Sequence, residues 1–264
     1  SVNTTFFLSA MRMAMSMTAL ALRGGHGFST LTRQNSILSD KRQGLVENVL
    51  KDGWATHILW VDSDMEFPYD IAYQLAKHDL PIVACACPTK QVPSSSTAVM
   101  QKGDNEFVPV DPFAHTGAVP VDFVGMGIML VDVDVYKKLP SPWFETIYRT
   151  ERGCYEGEDW YFIRKAREHG YTPYIDAEAS QTIGHVGTFA FNHGLAYESD
   201  KGSDLDSAHG TSSGSLPHVS TEHADAREQG ESFGRAAVIR GDASHEGEFA
   251  PGQSAPVGET GVSG

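Results

Sequence analysis

Positive charge is scarce in this chain. Its 264 residues hold 20 Lys and Arg against 34 Asp and Glu, a formal net charge of −14. No basic stripe runs along any segment, so the sequence carries no footprint for a nucleic-acid backbone. A protein of this balance that handles phosphates must do so locally, through a metal ion or a few Arg and Lys side chains. Cysteine is scarce as well. Cys85, Cys87 and Cys154 form no disulfide-like framework, which points to a reducing compartment and a cytoplasmic location. Cys85-Ala-Cys87 lacks the wider spacing of zinc-binding pairs and lies in an apolar run, so it is expected to face the core. Uninterrupted apolar length is also missing. The Met-rich segment from Phe6 to Leu22 is broken by Arg12 and shows no small-residue cleavage signature. It reads as an amphipathic core helix, with no membrane span or signal peptide.

The C-terminal end lacks hydrophobic periodicity. Beyond about Asn192, Gly, Ser, His, Asp and Glu dominate, and ten acidic residues against four basic ones follow Asp200. The expected organisation is therefore one folded domain over 1–192 and a disordered, acidic tail over 193–264. The scattered tail histidines (His209, His218, His223 and His245) are expected to face solvent.

What is present is an alternation of helix and strand patterns, which implies an α/β sheet. Helices are expected over 6–22, 35–50, 68–77, 133–139 and 160–169. Strands are expected over 28–31, 57–61, 81–87, 122–131, 171–176 and 181–186. Residues 88–120, rich in Pro, Ser, Thr and Gly, read as a long loop with a hairpin-like patch over 97–110.

The densest chemical signal is Ile58-Leu-Trp-Val-Asp-Ser-Asp-Met65, an apolar run that stops at two carboxylates. In an open α/β sheet, ligands sit outside the carboxyl ends of the strands. Asp62 and Asp64 at such an end can both reach one hard divalent cation, Mg²⁺ or Mn²⁺, and the cation can carry a phosphate. The plainer account is an Asx turn or a cap leading toward Pro68. A haloacid-dehalogenase-type phosphatase also places two such acids after a strand, but Glu66 stands where Thr or Val is usual.

Four further groups join the pair. Glu158-Asp159 follow the flexible Gly153-Cys-Tyr-Glu-Gly157 and open a helix, where acids cap free N–H groups or, at a cleft, take a proton from a hydroxyl. His185 lies between Gly184 and Gly187, and an imidazole beside two carboxylates suits Mn²⁺. Arg42 is a candidate for diphosphate, with Lys90 a weaker one. Gly125 and Gly127 allow close approach to a strand backbone, by a ligand or by a packed neighbour. Trp143 and Trp160 are either core residues or a platform for a sugar ring.

The ordered blocks Thr56-His-Ile-Leu-Trp-Val-Asp-Ser-Asp-Met-Glu-Phe-Pro68, Val121-Asp-Phe-Val-Gly-Met-Gly-Ile-Met-Leu-Val131, Gly157-Glu-Asp-Trp-Tyr161 and Ile183-Gly-His-Val-Gly187 resemble those of GT-A-fold glycosyltransferases. The small family-2-like enzymes of phage and bacterial genomes are the nearest in kind, over residues 1–190. The resemblance implies a GT-A-like, Rossmann-like mixed sheet, mostly parallel and flanked by helices. It implies a nucleotide-diphosphate-sugar donor, UDP-linked in the first instance, and Mn²⁺ or Mg²⁺. Asp62, Asp64 and His185 would hold the metal, and Arg42, Asp62, Asp64, Gly125 and Gly127 the donor. Asp159 would be the base of an inverting transfer, with Glu158 assisting at the acceptor. The family often has Arg-Asn where this chain has Arg42-Gln43. Ser1-Val-Asn-Thr-Thr5 matches the segment after the family's opening strand, so the sheet is expected to lack that strand. The acceptor is left open among a saccharide, a protein and a modified DNA base. The alternatives are a non-catalytic sugar-nucleotide or glycan-binding module on a degenerate GT-A fold, and a metal-dependent phosphatase or nucleotidyltransferase.

Overall fold

A computed structural model describes residues 3–24, 27–33, 36–91, 93–103 and 106–187, together with the backbone of 234–239. In chain order the elements begin with α1 (Thr4–Gly24), β1 (Phe28–Thr32), α2 (Leu38–Asp52), β2 (His57–Asp62), β3 (Met65–Glu66), α3 (Ile71–Ala76) and β4 (Ile82–Ala84). An excursion follows: β5 (Val99–Gln101), β6 (Phe107–Pro109), a 3₁₀ turn (Pro112–Ala114) and β7 (Ala118–Pro120). The chain then forms β8 (Ile128–Asp132), α4 (Val133–Lys138), β9 (Ile147–Arg149), β10 (Cys154–Glu156) and α5 (Glu158–Glu168). It continues through β11 (Tyr174–Asp176), α6 (Ala177–Ser180), β12 (Gly184–His185) and β13 (Gly234–Ile239).

Seven strands form the main sheet, in the order β1-β13-β2-β8-β4-β11-β7. Only the β4–β11 pairing is parallel, and the other five are antiparallel. The architecture is thus mixed α/β, and the expectation of a mostly parallel sheet is corrected. The reason lies in β8. It runs between β2 and β4 and opposes both, so two strands that share a direction are no longer neighbours. β1, β2, β4 and β11 all run one way, as a βα alternation requires, while the strands threaded among them reverse the local pairing.

The alternation of β2 explains the two cores. Ile58 and Trp60 point to one face of the sheet, and Leu59 and Val61 to the other. Behind the first face α2, α4 and α5 contribute Leu45, Val49, Tyr136, Phe162 and Ile163. Behind the second, α1 and α3 contribute Phe6, Met13, Met17, Ile71 and Leu75. Cys85 and Cys87 are buried, as their apolar context implies. α1 buries one face through Phe6, Met13 and Met17, whereas Met11, Met15, Leu20 and Leu22, whose spacing gives the segment its helical periodicity in sequence, are exposed, as is Phe7. By length and composition this helix is also apolar enough to cross a membrane. Trp60 Nε1 donates to Tyr136 Oη at 2.8 Å, satisfying two buried polar groups at once.

Several expected elements differ: the strand expected over 181–186 is reduced to Gly184–His185, outside the main sheet, and that expected over 81–87 to Ile82–Ala84. Of the strand predicted over 122–131, only Ile128–Asp132 pairs in the sheet; Phe123 makes an isolated bridge to Val99, and Gly125 lies in the irregular approach. The helix after Pro68 begins at Ile71. Within the expected tail, Gly234–Ile239 enters the sheet as β13, between β1 and β2, in the gap between two strands that run the same way. The rest of the tail, the tail histidines included, lies outside the described residues, and the helix expected from Asn35 begins at Leu38. The hairpin expected over 97–110 is present as β5–β6.

Candidate functional site

The site lies at the carboxyl end of β2. The strand is buried through Val61 and emerges at Asp62, and the Ser63-Asp64 turn then leads the chain into β3. β12 pairs with β3 so that His185 stands opposite Met65, and Val186 N donates to the Asp64 carbonyl at 2.7 Å. That pairing, between residues far apart in sequence, carries the imidazole to the acidic turn. His185 Nε2 lies 3.4 Å from Asp64 Oδ2, and its Nδ1 lies 2.8 Å from the Pro88 carbonyl.

Arg42 is the hub. α2 presents it with its side chain only 2% exposed. Nη2 donates to Asp62 Oδ1 at 3.0 Å and Nη1 to Glu158 Oε1 at 2.8 Å. One planar fork thereby ties the end of β2 to the start of α5. Its Nε is buried without a hydrogen-bond partner. Burial penalises the guanidinium, yet the carboxylates of Asp62, Glu158 and Asp159 outweigh it and raise its pKa.

The two acids of the turn are driven apart. Burial, reinforced by the charges of Asp64 and Asp159, pushes Asp62 up to about 6, even with Arg42 pulling the other way. Asp64 also feels burial, but the hydrogen bonds and charges of His185 and Lys90 prevail and hold it at about 2. His185 is raised in turn, first by its hydrogen bond to Asp64 and against its own desolvation. So the site pairs a carboxyl poised near neutrality with one that is firmly ionised.

Asp159 lies in the first turn of α5, where its Oδ1 accepts from Trp160 N at 2.8 Å. A Cβ placed on Gly125 would stand 3.6 Å from the other carboxylate oxygen, Oδ2, and 3.3 Å from Thr97 Cβ. Gly125 is therefore the floor beneath Asp159. Gly127 is different. A Cβ there would meet Cys87 Sγ at 2.8 Å and Met65 Sδ at 3.3 Å, so this glycine is required by interior packing. That packing accounts for the glycine, which was expected to take part in donor binding, without a ligand.

Glu156, just ahead of α5, is a pivot. Arg149 and Arg164 each grip its carboxylate with two nitrogens, at 3.0–3.1 Å. Those bonds overcome its burial and lower its pKa. They anchor the β9–β10 hairpin to the helix that carries Glu158 and Asp159. Lys90 was the weaker candidate by sequence. Its Nζ lies 2.5 Å from Asp64 Oδ2, while Arg42, the stronger one, is locked to protein carboxylates. Trp143 is a core residue, and Trp160 packs on the core with part of its surface on a cavity. Trp143 Nε1 donates to the carbonyls of Tyr136 and Leu139, and Trp160 stacks on Phe123 at 4.4 Å.

Asp62, Asp64, His185, Arg42, Glu158, Asp159 and Gly125 are thus brought to one region from α2, the β2 turn, β12, the approach to β8 and the start of α5. Beside it, a cavity of about 340 Å³ opens between Phe107, Arg152, Tyr155, Gly157 and Trp160. The donor chemistry of Asp62, Asp64 and His185 suits Mn²⁺ or Mg²⁺, and Asp64 is paired with the Lys90 ammonium. Among the described residues no three His, Cys, Asp or Glu side chains are gathered into a ready cage. The fit is one of ligand type, and Asp62 turns one oxygen toward Arg42.

No protein-family model matches the chain, and no curated protein does. Among solved structures it is similar to the one described as "Crystal Structure of A197 from STIV", at 16% identity over 62% of this chain and 84% of that one. The TM-score is 0.38, a likeness too slight to bear on fold or function.

Proposed function

We propose that this chain is a metal-dependent glycosyltransferase of GT-A type, moving a sugar from a nucleotide-diphosphate donor, UDP-linked in the first instance, to an acceptor hydroxyl. The observation that carries the reading is the Arg42 fork. It ties the acidic end of β2 to the Glu158-Asp159 helix start, so that a candidate cation-binding acid and the helix start that carries a candidate base are joined through one residue.

Asp64 and His185, with Asp62, would hold the divalent ion. When bound, the ion offsets the charge that builds on the departing diphosphate. Arg42 keeps Asp62 oriented and limits repulsion among the carboxylates. Asp159 takes the proton of the acceptor hydroxyl as its oxygen bonds to the anomeric carbon. The bond from that carbon to the diphosphate breaks, and its electron pair leaves with the nucleoside diphosphate. Trp160 N fixes one oxygen of Asp159, leaving the oxygen above Gly125 for the proton. Glu158, held by Arg42, would assist at the acceptor.

The test is a panel of nucleotide sugars with and without Mn²⁺, with product identity as the readout. Release of nucleoside diphosphate, dependent on Mn²⁺, is expected. Release of phosphate or pyrophosphate in its place would assign the site to a phosphatase or nucleotidyltransferase. Saturable binding without any turnover would assign it to a binding module.

A further inference from the structure

Lys90 already supplies a positive charge to the site. Its Nζ lies 2.5 Å from Asp64 Oδ2, and His185 Nε2 approaches the same oxygen at 3.4 Å. The lysine stem runs alongside Gly187, where a Cβ would stand 3.6–4.0 Å from three of its carbons. The ammonium is therefore laid from the segment after β4 across the end of β12 and onto the acidic turn. Both partners are partly open to solvent, at 41% and 37% side-chain exposure. Arg42 is placed differently, because it is buried and each of its terminal nitrogens is committed to a carboxylate.

We infer that Lys90 is an internal counter-ion that occupies the cation seat on Asp64 until a divalent ion displaces it, and that it then turns to the donor's diphosphate. The inference rests on the nucleotide-sugar reading of the site. One carboxylate oxygen does not hold an ammonium and a divalent cation together, since like charges at contact repel strongly. Displacement is easy, because a solvent-exposed ion pair contributes little net stability. The released ammonium, on a flexible stem, is a point charge suited to phosphate oxygens. Two effects of opposite sign follow for a neutral replacement. Metal binding tightens because a competitor is gone, and diphosphate binding weakens because a donor is gone. A lysine that only props the loop would move both in the same direction or neither.

The experiment is calorimetry on the full chain and on Lys90→Met, first with Mn²⁺ alone and then with UDP at saturating Mn²⁺. Lys137→Met, which removes an exposed lysine paired with Asp134 on α4, controls for net charge. Lys90→Met is expected to bind Mn²⁺ roughly two- to fivefold tighter, the loss of an exposed pair. It is expected to bind UDP about tenfold or more weakly, the loss of a hydrogen bond to a charged group. Lys137→Met leaves both affinities near those of the parent. Unchanged or weaker Mn²⁺ affinity in Lys90→Met overturns the inference, as does absence of Mn²⁺ binding in both proteins or unchanged UDP affinity. Neither titration involves sugar transfer. If both shifts appear and no sugar is moved, the transferase reading falls while the role of Lys90 stands.

Discussion

Arg42→Met tests whether one guanidinium holds the site together. The side chain is 2% exposed and binds Asp62 at 3.0 Å and Glu158 at 2.8 Å. Hydrogen bonds to charged groups contribute about 1.5–3 kcal/mol each, and breaking a buried ion pair from one side costs about 3–5 kcal/mol. Two features trim that figure. Asp62 and Glu158 keep 30% and 14% side-chain exposure, so water replaces part of what is lost. The substitution also relieves the unpartnered Nε. The expected loss is about 2–4 kcal/mol at pH 8, or roughly 5–15 °C in Tm for a domain of this size.

The pH dependence carries the sharper test. Asp62 is raised to about 6 from 3.8, so ionising it in the fold is unfavourable. Its contribution to stability is full below 3.8 and is lost as pH rises through about 6. Arg42 opposes that loss. Without Arg42 the carboxyl stays protonated to higher pH, and the destabilisation grows between pH 5 and pH 8. Urea unfolding of both proteins at the two pH values measures it. A loss below about 1 kcal/mol, or one of equal size at both pH values, would show that Arg42 does not hold the site together.

Further outcomes follow from the same geometry. Gly127→Ala forces a methyl to within 2.8 Å of Cys87 Sγ and should cost about 1–3 kcal/mol, with much of it recovered in the Gly127→Ala, Cys87→Ala double variant. An unrecovered loss would move the glycine's role elsewhere. Trp60→Phe strands the buried Tyr136 hydroxyl and should cost about 1–3 kcal/mol, measured by denaturant unfolding, with Tyr136→Phe added on top costing little more. Asp176 is fully buried, but the Ala179 amide, His78 and Lys77 outweigh its desolvation and lower its pKa. Its stabilisation is present above the unfolded carboxylate range and lost as pH falls through the lowered folded value, so Asp176→Asn should flatten the acid side of the stability profile. A profile unchanged by the substitution would contradict that assignment.

Much of the candidate site was legible in the sequence because it sits where local patterns break. An apolar run that stops at Asp62 has to leave the core, and Gly157 ahead of Glu158-Asp159 marks a helix start. His185 was legible as an imidazole between glycines, though only the β3–β12 pairing shows how it meets Asp64. The roles of the glycines were not legible. Gly125 and Gly127 are two residues apart in one run, and only tertiary packing puts Asp159 above the first and sulfur atoms against the second. The same holds for Lys90, whose partner is fixed by how the segment after β4 folds back, and for Glu156, whose arginines come from β9 and α5.

For the fold, the alternation of helix and strand patterns pointed to an α/β sheet, but nothing local indicated that β8 would run antiparallel between β2 and β4. Nor did the composition around Gly234–Ile239, surrounded by Gly, Ser and acidic residues, signal a strand between β1 and β2. Strand pairing is decided by which edge is left open, and that is a property of the assembled sheet.

The most direct test of the central claim compares the parent chain with Asp64→Ala and Asp159→Asn for release of nucleoside diphosphate from a nucleotide sugar, with Mn²⁺ present and absent. Turnover by the parent is expected only with Mn²⁺, and Asp64→Ala is expected to lose it together with metal binding. Asp159→Asn is expected to keep binding the donor and to lose turnover about a hundredfold or more, the contribution of a general base. Turnover that ignores Mn²⁺ and survives both substitutions would contradict the claim.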